Sequence, residues 1–135
     1  MLQRILIVTA AILLAACAST GGDARKLQET LYAYQSTIRW GDLGAAMGFV
    51  DPERRDELQP SDLEQRRMAQ LQVVGYYVQS RSEPEPGRYQ QVVEIRLVNR
   101  NTQVERSVID RQSWRWSPQD KTWWLESGLP SFARE

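Results

Sequence analysis

The sequence predicts an α+β domain in which N-terminal helices pack on one face of a four-stranded antiparallel sheet. The first observation is that residues 25–70 carry apolar side chains at helical spacings of three and four. The second is that the residues after 70 alternate between apolar and polar side chains, with many aromatic and β-branched residues. The third is that turn-forming residues separate these alternating segments, which is typical of strands joined by hairpins.

The helical half opens with an amphipathic segment that begins at Arg25 and ends near Trp40. Its apolar stripe has successive spacings of four, three and four residues: Leu27, Leu31, Tyr34 and Ile38. A second, short helix is predicted over residues 42–49, with Asp42 as its cap and Pro52 beyond its end.

The rest of the domain is predicted from a capping motif and from the alternating segments. The charged residues 52–58 are expected to form one or two helical turns. Ser61 and Glu64 then have the S-x-x-E form of a capping box, which predicts a third helix that ends near Gln70. Four strands are predicted to follow, over residues 73–82, 89–98, 102–116 and 121–126.

Tryptophans dominate the predicted last hairpin. A four-residue turn would place Trp116 opposite Lys121 and Trp114 opposite Trp123. These three tryptophans would then share one face of the sheet, while Trp124 would lie on the other. We interpret Trp114 and Trp123 as core residues, because aromatic side chains bury large apolar areas. An aromatic platform for a sugar, a peptide or peptidoglycan is the other interpretation, and Trp124 fits either one.

Composition excludes several classes of function. Lys and Arg together number 17, Asp and Glu together also number 17, and no basic patch is present, so nucleic-acid binding is not expected. His, the commonest general base and metal ligand, is absent. The sequence has no Gly-rich phosphate loop, nucleophile elbow or metal-ligand spacing, so neither a metal nor a cofactor is predicted.

The N-terminus has the parts of a secretory signal. Arg4 precedes a mostly apolar run over residues 5–16, which is too short to span a bilayer. The run ends at Leu14-Ala15-Ala16-Cys17, which resembles the bacterial lipobox. That resemblance implies that residues 1–16 are removed, that Cys17 is lipidated, and that the chain is held on a membrane through this lipid. Ala18, which is not aspartate, implies the outer membrane, with the domain facing the periplasm.

The mature chain is predicted to have a tether and one domain. Residues 17–24 are small and polar, and the six residues that follow the lipidated cysteine reach roughly 20 Å at most. Residues 25–135 form the domain. Cys17 is the only cysteine, so its lipidation leaves no thiol for an intramolecular disulfide.

The order of helices and hairpins resembles the NTF2-like (SnoaL or cystatin-like) superfamily. The resemblance is carried by that order over about residues 25–132, by Gly41-Asp42 between the first two helices, and by the hairpin of Trp114-x-Trp116 with Trp123-Trp124-Leu125. It implies a curved sheet that wraps around a long helix to form a cone. Enzymes of this superfamily, such as ketosteroid isomerases and dehydratases, place an acid or a histidine inside the cone.

Asp110 is the candidate for such an acid. It shares strand parity with Val108, Gln112 and Trp114, so its carboxyl group is expected to point into the cone. Its possible hydrogen-bond partners are Tyr32, Tyr34 and Tyr77. Arg106 or Arg111 could instead neutralise it, because a buried acid needs a partner. The candidate residues for binding a ligand or partner are Tyr34, Tyr77, Asp110, Trp116 and Trp124.

Three functions remain open at this point. The leading hypothesis is a non-catalytic envelope lipoprotein that binds a small apolar ligand or an envelope protein. The second is an enzyme of isomerase, dehydratase or hydrolase type in which Asp110 acts as catalytic base. The third is an assembly subunit whose sheet face forms a homodimer.

Overall fold

The computed structural model describes residues 23–132, so the predicted signal segment, Cys17 and the start of the tether lie outside the described residues. Its helical part comprises α1 (residues 23–40), a 3₁₀ helix (Leu43–Phe49), a 3₁₀ turn (Pro52–Arg54), α2 (Arg55–Leu58) and α3 (Asp62–Ala69). The predicted capping box is confirmed, because Ser61 Oγ accepts from the Glu64 amide and the Glu64 carboxylate accepts from the Ser61 amide. In residues 23–132 no helix is both long and apolar enough to cross a bilayer.

The four predicted strands are confirmed, and they form one open antiparallel sheet in the order β1-β2-β3-β4. Their bounds are β1 Leu71–Glu85, β2 Arg88–Asn99, β3 Glu105–Ser117 and β4 Thr122–Leu125. β1 runs beyond the predicted residue 82 and includes Pro84, which an edge strand tolerates. Register shifts interrupt its pairing with β2, and such bulges bend a strand and curve its sheet.

The predicted register of the last hairpin is wrong by two residues. Trp116 pairs with Trp123 rather than with Lys121, and Ser117 pairs with Thr122. Lys121 has a φ of 50° and belongs to the turn, not to β4. The Ser117 hydroxyl closes this turn by accepting from the Asp120 amide at 3.3 Å. A shift of two residues preserves strand parity, so each tryptophan still lies on its predicted face.

The core lies between α1 and the inner face of the sheet. Tyr34 of α1 is fully buried, and the centre of its ring lies 5.2 Å from that of Trp114 and 5.4 Å from that of Phe49, both in edge-to-face geometry. Trp114 and Trp123 are buried, which confirms their interpretation as core residues. The inner face of β2 adds a fully buried apolar row: Val93, Ile95 and Leu97. The structure is therefore α+β, with helices packed on a four-stranded antiparallel sheet.

Candidate functional site

A buried network of polar side chains lies on the inner face of the sheet, centred on Gln112. Its Oε1 accepts from Gln91 Nε2 at 2.8 Å and from Trp114 Nε1 at 3.1 Å. Its Nε2 donates to Tyr76 Oη at 2.9 Å and to Asp110 Oδ2 at 2.8 Å. Two acceptor and two donor positions of the amide are thereby used, so the network holds this side chain in one orientation.

Asp110 is placed as the strand parity predicts, on the inner face and 6% exposed. Burial raises its pKa from 3.8 to about 6, while the hydrogen bond from Gln112 acts in the opposite direction. Neither arginine considered as its partner forms an ion pair with it in the described part of the chain. Arg111 is exposed, and Arg106 donates to the carbonyl oxygen of Phe132. Asp110 is thus a buried acid whose hydrogen-bond donor is a neutral amide.

Tyr34 lies close enough to Asp110 for the two groups to interact electrostatically. Burial raises the pKa of Tyr34 well above its ordinary value, and the negative charge of Asp110 raises it further. The Tyr34 hydroxyl has no hydrogen-bond partner among residues 23–132, so its predicted hydrogen bond with Asp110 is wrong. Tyr32, also proposed as a partner of Asp110, is 75% exposed on the opposite side of α1, so that prediction is wrong.

Tyr77 is a second correction to the predicted site. It is 49% exposed on the outer face of the sheet, and the guanidinium of Arg96 lies 5.1 Å from the centre of its ring. A register shift between Val73 and Gly75 turns Tyr76 inward in its place. Burial raises the pKa of Tyr76 to about 12, although its hydrogen bond with the Gln112 amide acts in the opposite direction. Alternation alone could not identify this residue, because a bulge changes which side chains face inward.

The two tryptophans proposed for binding do not form one site. Trp116 is half-buried on the inner face, where the ammonium of Lys26 lies 5.9 Å from the centre of its ring. Trp124 is half-buried on the outer face, where its Nε1 donates to Asp120 at 3.1 Å. The guanidinium of Arg55 lies 5.5 Å from the centre of the Trp124 ring. Any ligand of one tryptophan would therefore not reach the other.

A cluster of charges ties the segment after the first 3₁₀ helix to the sheet. Arg115 donates to Asp51 at 2.7 Å and lies 3.5 Å from a carboxylate oxygen of Glu126, while Arg54 donates to the Glu126 carbonyl at 2.6 Å. Burial acts to raise the pKa of Asp51, but the hydrogen bonds from Arg115 and the Glu53 amide, with the nearby positive charges, lower it overall. The cluster holds residues 51–54 against the sheet as a wall, and Arg55 follows directly after them.

A groove of about 740 Å³ opens beside that wall, between the first 3₁₀ helix, α2, α3 and the start of β1. The large apolar side chains lining it are Leu43, Met47, Met68 and Leu71. The charged side chains lining it are Asp42, Arg55, Asp56 and Arg100. Sequence reasoning missed the groove, because its apolar residues are far apart in the chain and each reads as ordinary core.

None of the residues proposed from the sequence for binding lines this groove. Phe132 lines each of two further cavities, of about 800 Å³ and 260 Å³, and Asp110 lines neither of them. Across residues 23–132, no group of three or more Asp, Glu, Cys or His side chains is placed to hold a metal ion. The buried acid and the open groove are therefore separate features of the domain.

Comparison with protein-family models, with curated proteins and with solved structures finds no match to the chain. The resemblances to the lipobox and to the NTF2-like superfamily accordingly stay predictions. The groove, the inner-face network and the N-terminal sequence are therefore the features that bear on function.

Proposed function

We propose that the chain is a lipid-anchored envelope protein whose domain binds a small apolar ligand, or an apolar segment of an envelope protein, without catalysis. The observation that carries this proposal is the groove of about 740 Å³ with its apolar floor. The anchor is supported by the N-terminal signal and by Cys17 directly after it. The predicted location is the outer membrane, with the domain in the periplasm.

The groove has the size of a small-molecule site, and its lining combines apolar side chains with charged and amide side chains. Such sites commonly measure roughly 300–1,000 Å³ and combine an apolar surface with a few polar groups that orient the ligand. Leu43, Met68 and Leu71 each keep 8% of their surface exposed. Methionine side chains adapt to different apolar shapes, because the thioether is flexible and polarizable. Arg100, which also lines the groove, has N–H donors for a polar end of the ligand.

Two of the charged side chains that line the groove, Asp42 and Arg55, form hydrogen bonds with the backbone of its wall. Asp42 Oδ1 accepts from the Gly44 amide at 2.8 Å and so caps the first 3₁₀ helix. Arg55 donates to the backbone carbonyls of Val50 and Gly48, each at 3.1 Å. Both side chains are therefore engaged in holding the wall of the groove, which favours binding over chemistry.

Photo-crosslinking of the full-length protein tests the groove. An apolar alkyl diazirine probe is added to the protein in detergent, and the labelled peptides are mapped by mass spectrometry. We expect adducts in residues 43–47 and 68–71, and we expect Met68→Lys to abolish them. Leu63→Lys is the matched control, because Leu63 lies on the same helix, is 50% exposed and does not line the groove.

A second variant, Met47→Lys, separates loss of binding from loss of folding, because Met47 is less buried than Met68. Circular dichroism verifies that each variant is folded. If both lysine variants are folded and are labelled like the unmodified protein, the groove is not the binding site.

Mass spectrometry of the mature N-terminus tests the anchor separately. We expect the chain to begin at Cys17 and to carry lipid mass on that residue. An unmodified Cys17 in protein extracted from membranes would contradict the anchor and the location derived from it.

Catalysis by Asp110 is the second candidate function, and one observation favours it. Burial holds its pKa at about 6, which suits a general acid or base near neutral pH. The reaction would need a passage from the surface to Asp110, which lines none of the three cavities above. Diazirine adducts on β3 at Asp110 or Gln112, absent from Asp110→Asn, would favour this candidate over the groove.

The homodimer alternative predicts a dimer in sedimentation experiments.

A further inference from the structure

The outer side of α1 carries the two most exposed large aromatic side chains of the described residues. Trp40 is 79% exposed and Tyr32 is 75% exposed. They are eight residues apart, slightly more than two helical turns, so both lie on the side of α1 that faces away from the sheet. Folding buries little of either ring, so the packing of the domain does not account for them.

Charged side chains flank these rings. The guanidinium of Arg39 lies 5.0 Å from the centre of the Trp40 ring. Near the other end of the helix, Arg25 and Glu29 approach to 3.8 Å, with both side chains exposed. Tyrosine and tryptophan are enriched at the boundary between membrane and water, where the ring is partly apolar and its polar atom stays hydrated. Arginine side chains beside them can reach the phosphate groups of lipids.

We propose that the outer side of α1 lies on the lipid surface that anchors the chain, with Tyr32 and Trp40 at the level of the headgroups. The proposal rests on the lipid anchor at Cys17 given under Proposed function. The tether between Cys17 and residue 23 spans at most roughly 20 Å. Of the described elements, α1 is therefore the first that the tether holds beside the membrane.

A lipid surface fits this side of the helix better than a second copy of α1. Between the two aromatic residues, Ala33 is the one exposed position of α1, and it is small. A helix pair needs an apolar seam that repeats about every 3.5 residues, and that seam is absent here. Two separated aromatic side chains with arginines nearby suit the headgroup region of a lipid surface instead.

The orientation of the domain follows from the length of α1. Residues 23–40 extend over about 26 Å at a rise of 1.5 Å per residue. A domain standing upright on its tether would hold Trp40 roughly that far above the helix start, well clear of the lipid. A domain lying on α1 would place Trp40 among the headgroups. The depth of Trp40 therefore distinguishes the two orientations.

Quenching of tryptophan fluorescence by brominated phospholipids measures that depth. The full-length lipidated protein is reconstituted into vesicles of phosphatidylcholine with phosphatidylglycerol, with and without lipids brominated high on the acyl chain, and is recovered by flotation. We expect clear quenching in the unmodified protein and loss of most of it in Trp40→Phe. Trp124→Phe is the matched control and should keep the quenching, because Trp124 lies on the outer face of the sheet.

Each other outcome overturns the proposal in a distinguishable way. Protein that floats but is not quenched, or is quenched equally in Trp40→Phe, shows that the anchor holds and that α1 does not touch lipid. A blue-shifted Trp40 emission without quenching shows that a second copy or another protein covers this side. Protein that does not float at all overturns the anchor and the α1 contact together. Trp40 is exposed, so Trp40→Phe should fold, and circular dichroism verifies this.

Discussion

The substitution Asp110→Asn removes a buried ionisable group and keeps the shape of its side chain. In the folded protein burial raises the pKa of Asp110 from 3.8 to about 6. The folded state therefore binds this proton more tightly than the unfolded state does. An asparagine has no charge to bury, and its Oδ1 can still accept the hydrogen bond that Gln112 Nε2 donates to Asp110 at 2.8 Å.

The sign and the size of the effect follow from proton linkage. Between about pH 4 and pH 6 the unfolded chain releases the Asp110 proton while the folded chain keeps it, so stability falls as the pH rises. Two pKa units at about 1.36 kcal/mol each set an upper limit of roughly 3 kcal/mol for this loss. We therefore expect Asp110→Asn to raise the free energy of unfolding at pH 7.5 by about 1–3 kcal/mol, and to change it little near pH 4.

Urea unfolding of both proteins between pH 4 and pH 8 measures the difference directly. The quantity to compare is the difference in free energy of unfolding between the two proteins at each pH. Glu64 and Glu94 have lowered pKa values and make both proteins less stable in acid, so neither pH curve alone reports on Asp110. Backbone and side-chain hydrogen bonds from Ser61 lower the pKa of Glu64, and hydrogen bonds from Arg96 and Ser107 lower that of Glu94. These contributions cancel between the two proteins.

Asp56→Asn, at an exposed position, is the matched control and is unfolded over the same pH range. The reasoning is refuted if Asp110→Asn is less stable than the unmodified protein at pH 7.5 and the deficit grows with pH. That result would mean that the folded protein stabilises the Asp110 carboxylate rather than its protonated form.

Three further substitutions probe the rest of the structure. Asp51→Asn breaks the ion pair with Arg115 and should cost about 2 kcal/mol at pH 7 in urea unfolding; because the pKa of Asp51 is lowered, this cost should shrink as the pH falls below about 4. Gln112→Leu removes the centre of the buried network and should cost about 3–5 kcal/mol, whereas Gln90→Leu on the exposed face of β2 should cost nearly nothing. Lys121→Gly relieves a φ of 50° and should raise the free energy of unfolding by about 0.5–1 kcal/mol in thermal unfolding; a lower melting temperature would contradict the assigned turn.

Much of the fold could be predicted from local patterns, because the sequence signals of each helix and strand lie within a few consecutive residues. The capping box at Ser61 identified the start of α3, and strand parity put Asp110 on the inner face. The errors arose where parity or register depends on backbone geometry. The last turn covers residues 118–121 rather than 117–120, with a positive φ at Lys121, and a bulge before Gly75 exchanged Tyr77 for its neighbour.

The candidate site was harder to predict than the fold, because the groove is a property of the packing and not of any segment. Its floor takes Leu43 and Met47 from a 3₁₀ helix, Met68 from α3 and Leu71 from β1. Each of these residues looks like a core residue in its own segment. Only the way the segments pack leaves a space between them, and no spacing in the sequence encodes that space.

In this interpretation one side of α1 packs against the sheet and the other contacts lipid. Substitutions on the two sides are therefore expected to have different effects. Leu27, Tyr34 and Ile38 are buried against the sheet, so substitutions there should lower stability. Tyr32 and Trp40 bury little surface on folding, so substitutions there should change the free energy of unfolding by no more than about 0.5 kcal/mol. A variant at these two positions that keeps its stability but changes its depth on a vesicle would assign the outer side of the helix to the membrane. Because Gly41, directly after Trp40, lines the groove, such a contact would also bring this part of the groove close to the lipid.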